Sequence, residues 1–305
     1  MRRNLPRLRF VCFAVLGVAA IVPSQLQGDS EVEQHLRDQY KGKTLLLRNF
    51  YAGDSLRYDA SGQLSRSATS GDWTVDGVVR VTSLSLSGRR LTIHAERQSV
   101  ANGGQSFQFH KSRGDRDPEP NGLRIQVEVD SGAFTAEMAE AALSRIFLTS
   151  QDRMAKLVPD YWRPCVLAAA NGKGPEQYKA CRFSQELAVI PGILSNSEES
   201  SEPQDDSDGR SPRIGKGLTP PRVIFHKDPN FSEQARRAKY SGTAMLSLTV
   251  DQNGESRNVR IVRPLGMGLD QNAVETISTW RFDPARKDGE PVEMRLMVEV
   301  DFHLY

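Results

Sequence analysis

The chain is poor in the residues that usually build reactive sites. Its 305 residues include three cysteines and five histidines, and only 7% are aromatic. There is no Cys-x-x-Cys and no closely spaced His pair, so nothing has the ligand spacing of a zinc site. Gly-x-Ser-x-Gly, His-Glu-x-x-His and a Gly-rich phosphate loop are also absent, and with them the common signatures of hydrolases, metalloproteases and nucleotide enzymes. No apolar run approaches the roughly 20 residues that span a bilayer, which excludes a polytopic membrane protein. Neither sign of charge dominates: 40 Lys and Arg against 38 Asp and Glu give a formal charge of +2. A nucleic-acid binder would carry a strong basic footprint. The reading is therefore no catalytic residues, no cofactor, no metal and no nucleic acid.

The charge that is present is unevenly placed. Residues 1–28 hold four Arg and no acid, while 195–209 hold six acids and no base. Met1–Arg9 reads as a basic leader, Phe10–Val22 as a 13-residue apolar run, and Leu26-Gln27-Gly28 as a cleavage edge. This is the layout of an export signal. Left uncleaved, the same segment would act as an inner-membrane anchor. Export makes Cys165 and Cys181 the remaining pair, and an even pair in an oxidising compartment suggests a disulfide. Two buried free thiols are the alternative.

Residues 29–194 read as a β-rich domain with a helical segment. Asp29–Gln39 is a short amphipathic helix. Thr44–Phe50, Ser55–Tyr58, Val78–Leu86, Leu91–Glu96, Ser106–Phe109 and Leu123–Val129 are short β-branched or aromatic runs. Turn signals such as Ser61-Gly62, Asp76-Gly77 and Asn102-Gly103-Gly104 separate them, which implies antiparallel hairpins in one small sheet or partly open barrel. Asp72 and Asp76, flanking Trp73, read as turn chemistry. Thr135 can cap a helix over Thr135–Leu148 with Met138, Ala142, Leu143, Ile146 and Phe147 on its apolar stripe. Helix continues over Asp152–Ala170, interrupted at Pro159 and Pro164, and Gln177–Val189 holds a strand. Ser195–Thr219 is an acidic, Ser-rich linker with too little apolar content to fold alone.

The last 85 residues or so have the clearest periodicity. Asn230 caps a helix over Pro229–Lys239. Ala244, Leu246, Leu248 and Val250 alternate with Thr243, Met245, Ser247 and Thr249. Asp251-Gln252-Asn253-Gly254 is a hairpin turn into Glu255–Arg263. Asp270 caps a second helix with Leu269, Ala273, Ile277 and Trp280 on one face. Val292–Phe302 alternates again. The order helix, hairpin, helix, strand predicts an α+β fold: a three-stranded antiparallel sheet with both helices on one face. Its edge strands are templates for another strand, and allow a strand-swapped homodimer.

The residues Gly242-Thr243-Ala244, Val250-Asp251-Gln252-Asn253-Gly254, Val259-Arg260-Ile261-Val262, Gly268-Leu269-Asp270, Ala273, Trp280-Arg281-Phe282, Pro284-Ala285, Asp288-Gly289-Glu290-Pro291-Val292 and Phe302 stand in one order and spacing. Over about 220–305 that pattern resembles the C-terminal domain of the TonB energy-transducer family. The resemblance implies a binding module. The family's domain captures the TonB box of an outer-membrane transporter as an added strand beside its last strand. By position that strand carries Val292, Met294, Leu296, Val298, Val300 and Phe302, with Phe231 beside it. The resemblance also implies coupling to an inner-membrane motor of the ExbB–ExbD type, and a periplasmic location.

Three features depart from the family. Phe231-Ser232 stands where Tyr-Pro is common, the linker is acidic rather than Pro-rich, and Phe10–Val22 lacks a His. A soluble periplasmic scaffold using the same domain without a motor is the alternative reading.

Overall fold

The computed structural model describes residues 24–103, 107–111, 122–171, 181 and 217–304. The expected apolar leader Phe10–Val22, most of the linker and most of Gln177–Val189 lie outside the described residues. Among the described residues no helix is long and apolar enough to cross a membrane.

Helix α1 spans Ser24–Tyr40, longer than the sequence pattern suggested. It lies on a six-stranded sheet built from β1 (Thr44–Leu46), β2 (Ser55–Asp59), β3 (Val78–Ser87), β4 (Arg90–Asn102), β5 (Phe107–Lys111) and β6 (Gly122–Glu128). The strand order is β1-β3-β4-β6-β2, with β5 on the far half of β4. The antiparallel expectation holds for β3, β4, β5 and β6. It fails for β2, which runs parallel to β6 with Leu56 opposite Ile125. Local turn signals specify hairpins and carry no information on such a distant pairing.

Helix α2, Ala136–Ile146, begins as expected, with the Thr135 hydroxyl accepting from Met138 N–H at 3.3 Å. Its stripe is Ala139, Ala142, Leu143 and Ile146, while Met138 points outward at 39% exposure. Met138 sits in the first turn, facing away from the sheet. With α1, this helix covers one sheet face around Leu36, Tyr40, Ile93, Ile125 and Phe147. The helical continuation is two pieces, α3 (Met154–Leu157) and α4 (Arg163–Asn171). Pro159 separates them, whereas Pro164 lies in the first turn of α4, where its missing N–H costs nothing.

In the C-terminal part, β9 (Gly242–Val250) is the central strand between β10 (Ser256–Arg263) and β14 (Met294–Phe302), both antiparallel to it. Short helices α5 (Glu233–Arg237) and α6 (Leu269–Ile277) contribute Ala235, Leu269, Ala273 and Ile277 to the core beneath this sheet. Both caps differ from the sequence reading. Ser232, not Asn230, accepts from Ala235 N–H at 3.0 Å. Gly268, with φ of 76°, precedes α6, because Asp270 is occupied elsewhere. Small two- and three-stranded ribbons complete the domain: β8 (Arg222–Phe225) with β11 (Arg281–Asp283), and β7 (Leu218–Thr219), β12 (Ala285–Lys287) and β13 (Glu290–Val292) together. Val223, Ile224 and Phe225 on β8 are exposed.

The two halves share one core. Trp73, Val100, Phe107, Trp162 and Cys165 from the first half lie in the same cluster as Leu246, Ile261, Leu265, Met267 and Phe282 from the second.

Candidate functional site

The edges of the C-terminal sheet are unequal. On the β10 side, Ile261 N–H donates to the Tyr161 carbonyl at 2.9 Å, so the α3–α4 connection closes that edge. On the β14 side, β9 is the sole strand partner among the described residues. The sheet therefore offers one open edge, and an open edge carries unpaired N–H and C=O groups.

The sequence-predicted residues divide along this strand. Val292 does not belong to it: it pairs with Ala285 in the β12–β13 ribbon, and the chain breaks at Glu293 before β14 begins. The expected single strand Val292–Phe302 is thus shortened, because Pro291 and the Asp288-Gly289 turn hold Val292 in its own hairpin. Met294, Val300 and Phe302 are nearly buried, and Leu296 and Val298 pack half-buried on the core. Phe231 meets Phe302 edge-to-face at 5.5 Å. These side chains face inward, so an incoming strand would reach them mainly past the backbone. The outward row is Arg295, Met297, Glu299 and Asp301. Simple alternation places that row, since it is the other register of the same strand. Of the two aromatics in Trp280-Arg281-Phe282, Phe282 is buried. Trp280 is half-exposed, with its indole N–H on the Lys227 carbonyl at 3.1 Å.

The loop after β10 is the joint between the halves. Met267 N–H donates to the Val100 carbonyl at 2.7 Å, and Asn102 N–H to the Leu265 carbonyl at 2.9 Å. Asp270 is fully buried and accepts from Leu265 N–H at 2.8 Å and Gly266 N–H at 2.5 Å. The carboxylate thus fastens the loop rather than capping α6. Across the joint, the Thr74 hydroxyl donates to Asp72 and accepts from Gly268 N–H at 2.8 Å. The Asp72–Asp76 segment, read from sequence as turn chemistry, forms a single π-turn over Trp73–Gly77 at this joint.

Burial pushes the Asp72 carboxyl up to about 6 and the Asp270 carboxyl up to about 7. Asp76 and Glu275 also raise Asp72, and Asp72 raises Asp270. Both values lie above the ordinary carboxylate value of about 3.9. Between pH ~4 and ~7 the folded state then binds more protons than the unfolded one, so stability falls as pH rises through that window. We expect the melting temperature at pH 5.5 to exceed that at pH 8 by several degrees. Asp72→Asn, which preserves the acceptor for Thr74, should shrink the difference. Equal melting temperatures in the unsubstituted chain would rule out this assignment.

Cys165 and Cys181 are buried in the shared core, with Cα atoms 5.7 Å apart, a spacing that suits a disulfide.

Comparison with known proteins places the likeness in this C-terminal part. Residues 227–304 match the family model of the Gram-negative bacterial TonB protein C-terminal region. Protein TonB of Vibrio cholerae serotype O1 is 31% identical over 86 residues, which is 28% of this chain and 35% of that protein. The chain thus spans about a third of the length of this curated relative. A solution structure of the Pseudomonas aeruginosa TonB C-terminal domain aligns at 15% identity over 30% of this chain and 89% of that one, with a TM-score of 0.24. The match to the TonB C-terminal family thus falls on the residues that form the three-stranded sheet with α5 and α6, and these are joined to a six-stranded sheet.

Proposed function

We propose that this chain is a periplasmic binding protein whose TonB-type domain takes up a TonB-box-like segment of an outer-membrane transporter as a fourth strand beside β14. The observation that carries the reading is the asymmetry of the sheet, with β10 closed by Tyr161 and β14 open. Main-chain hydrogen bonds along β14 would supply affinity, and the side chains on its two faces selectivity. The activity is binding rather than catalysis. Coupling to an ExbB–ExbD-type motor belongs to the same reading, if Met1–Gly28 holds the chain in the inner membrane.

Amide hydrogen exchange of the full chain, with and without N-terminal segments of the host's outer-membrane transporters, tests this. Protection should rise across Met294–Phe302 and stay constant in β10. Protection confined to β8, or no change anywhere, would overturn it.

Export to an oxidising compartment implies a Cys165–Cys181 bond. Closing a loop of this size contributes about 3 kcal/mol in the chain-entropy model. Reduction should therefore lower the melting temperature by roughly 6–12 °C at about 2–4 °C per kcal/mol. An unchanged melting temperature after complete reduction would refute the bond.

A further inference from the structure

The outward row of β14 is unevenly satisfied. Glu299 pairs with Arg263 at 3.4 Å, and Asp301 accepts the Thr243 hydroxyl. Arg295 has neither an ion pair nor a hydrogen bond to any described residue, and it lies opposite Thr249. Met297, two residues on, is 52% exposed and lies opposite Ser247. Across the sheet from Ser247 stands Arg260, whose guanidinium, among the described residues, reaches only the carbonyl of its neighbour Val259. The end of the open edge nearest Met294 thus presents an unpaired cation beside an exposed thioether. The opposite end has its own carboxylates occupied.

We propose that Arg295 and Met297 are the specificity-determining side chains of this edge, and that they select a strand carrying a carboxylate and an aliphatic side chain two residues apart. This rests on strand addition beside β14. Side chains on neighbouring strands at the same level lie about 5 Å apart. A Glu or Asp in the added strand can therefore reach the Arg295 guanidinium, and an aliphatic side chain two residues along covers Met297. The residue between them falls at the level of the half-buried Leu296, and the one beyond the aliphatic residue at the level of Val298, positions that favour β-branched neighbours. The flexible thioether of Met297 fits aliphatic shapes loosely, so the carboxylate supplies most of the discrimination.

Three fluorescent peptides with cores Glu-Val-Leu-Val-Thr, Thr-Val-Leu-Val-Glu and Thr-Val-Leu-Val-Thr, titrated against the full chain by anisotropy, test this. One acidic peptide should bind roughly two- to fivefold tighter than the neutral one at low salt, the range for exposed ion pairs, and lose that advantage as salt rises. Whichever order binds better also gives the strand direction. In Arg295→Glu the advantage should disappear, and a Lys-containing counterpart should become the tighter ligand. Backbone N-methylation of the peptides separates the two claims. If the neutral and acidic peptides bind equally and N-methylation abolishes both, strand addition stands and selection by Arg295 is overturned. If no peptide binds, or N-methylation has no effect, strand addition fails and this inference fails with it.

Discussion

Gly266→Ala is expected to loosen the joint between the two halves far more than Gly289→Ala, although both glycines have φ of 90°. The shared backbone angle makes the comparison clean, because each alanine pays the same order of strain for a left-handed conformation, about 1–3 kcal/mol. Their surroundings differ. A Cβ on Gly289 meets nothing within 4 Å. On Gly266 it falls 2.2 Å from the Val100 carbonyl oxygen and 2.8 Å from the Ala101 Cα. Those atoms are backbone of β4 and cannot swing away. They are also bonded across the joint, since Val100 receives Met267 N–H and Asn102 donates to Leu265. Relief requires the 264–268 loop and the end of β4 to part, which breaks both bonds and opens the shared core around Met267 and Trp73. We expect Gly266→Ala to cost at least ~2 kcal/mol more than Gly289→Ala, on the scale of overpacking penalties. Denaturant unfolding should show one transition for the unsubstituted chain and two for the variant, as the halves lose their common core. Equal costs for both glycines would mean that the joint does not form as described.

Much of the C-terminal domain was legible because its elements are specified locally. Alternation in 243–250 and 294–302 fixes two strands and their inward faces, and Asp251 to Gly254 fixes the turn between β9 and β10. The errors there are one-residue contests. Ser232 outcompetes Asn230 as a cap because its hydroxyl also reaches the Met267 carbonyl. Asp270 leaves the cap position because two loop N–H groups need an acceptor inside the core. Val292 alternates in phase with β14, so periodicity alone cannot show that a hairpin claims it.

The joint was not legible, for a different reason. Asp72, Thr74 and Gly77 have turn chemistry, and sequence alone cannot distinguish an exposed turn from one buried beneath a loop almost two hundred residues away. The parallel pairing of β2 with β6 is hidden in the same way. The closed β10 edge depends on one carbonyl, that of Tyr161, which any residue would supply. The resemblance assigns partner contact to the apolar register of the last strand rather than to its outward row. That register is the one the domain uses for its own core.

Trp162→Ala should have a large effect on stability and should expose the second edge as well. Trp162 is completely buried and meets Trp73 edge-to-face at 5.0 Å and Phe107 at 5.8 Å. Its indole N–H has no acceptor among the described residues, so its contribution is packing rather than hydrogen bonding. Truncating a buried Trp costs about 3–5 kcal/mol. Phe147→Ala should cost a comparable amount, since Phe147 is equally buried, but in the separate core under α1 and α2. The two variants differ in what they release. Tyr161 and the α3–α4 connection are seated by Trp162 on the core that the C-terminal sheet shares. Without that anchor the Tyr161 carbonyl no longer holds Ile261 N–H, and β10 becomes a second free edge. A sheet with two free edges can pair with copies of itself. Light scattering should then show concentration-dependent dimers or larger species for Trp162→Ala and a monomer for Phe147→Ala at matched stability. If both variants stay monomeric while losing equal stability, Tyr161 does not guard the edge. Self-association of both would trace to general unfolding. Self-association of Trp162→Ala alone would mean that the α3–α4 connection shields β10, leaving β14 as the open edge of the C-terminal sheet among the described residues.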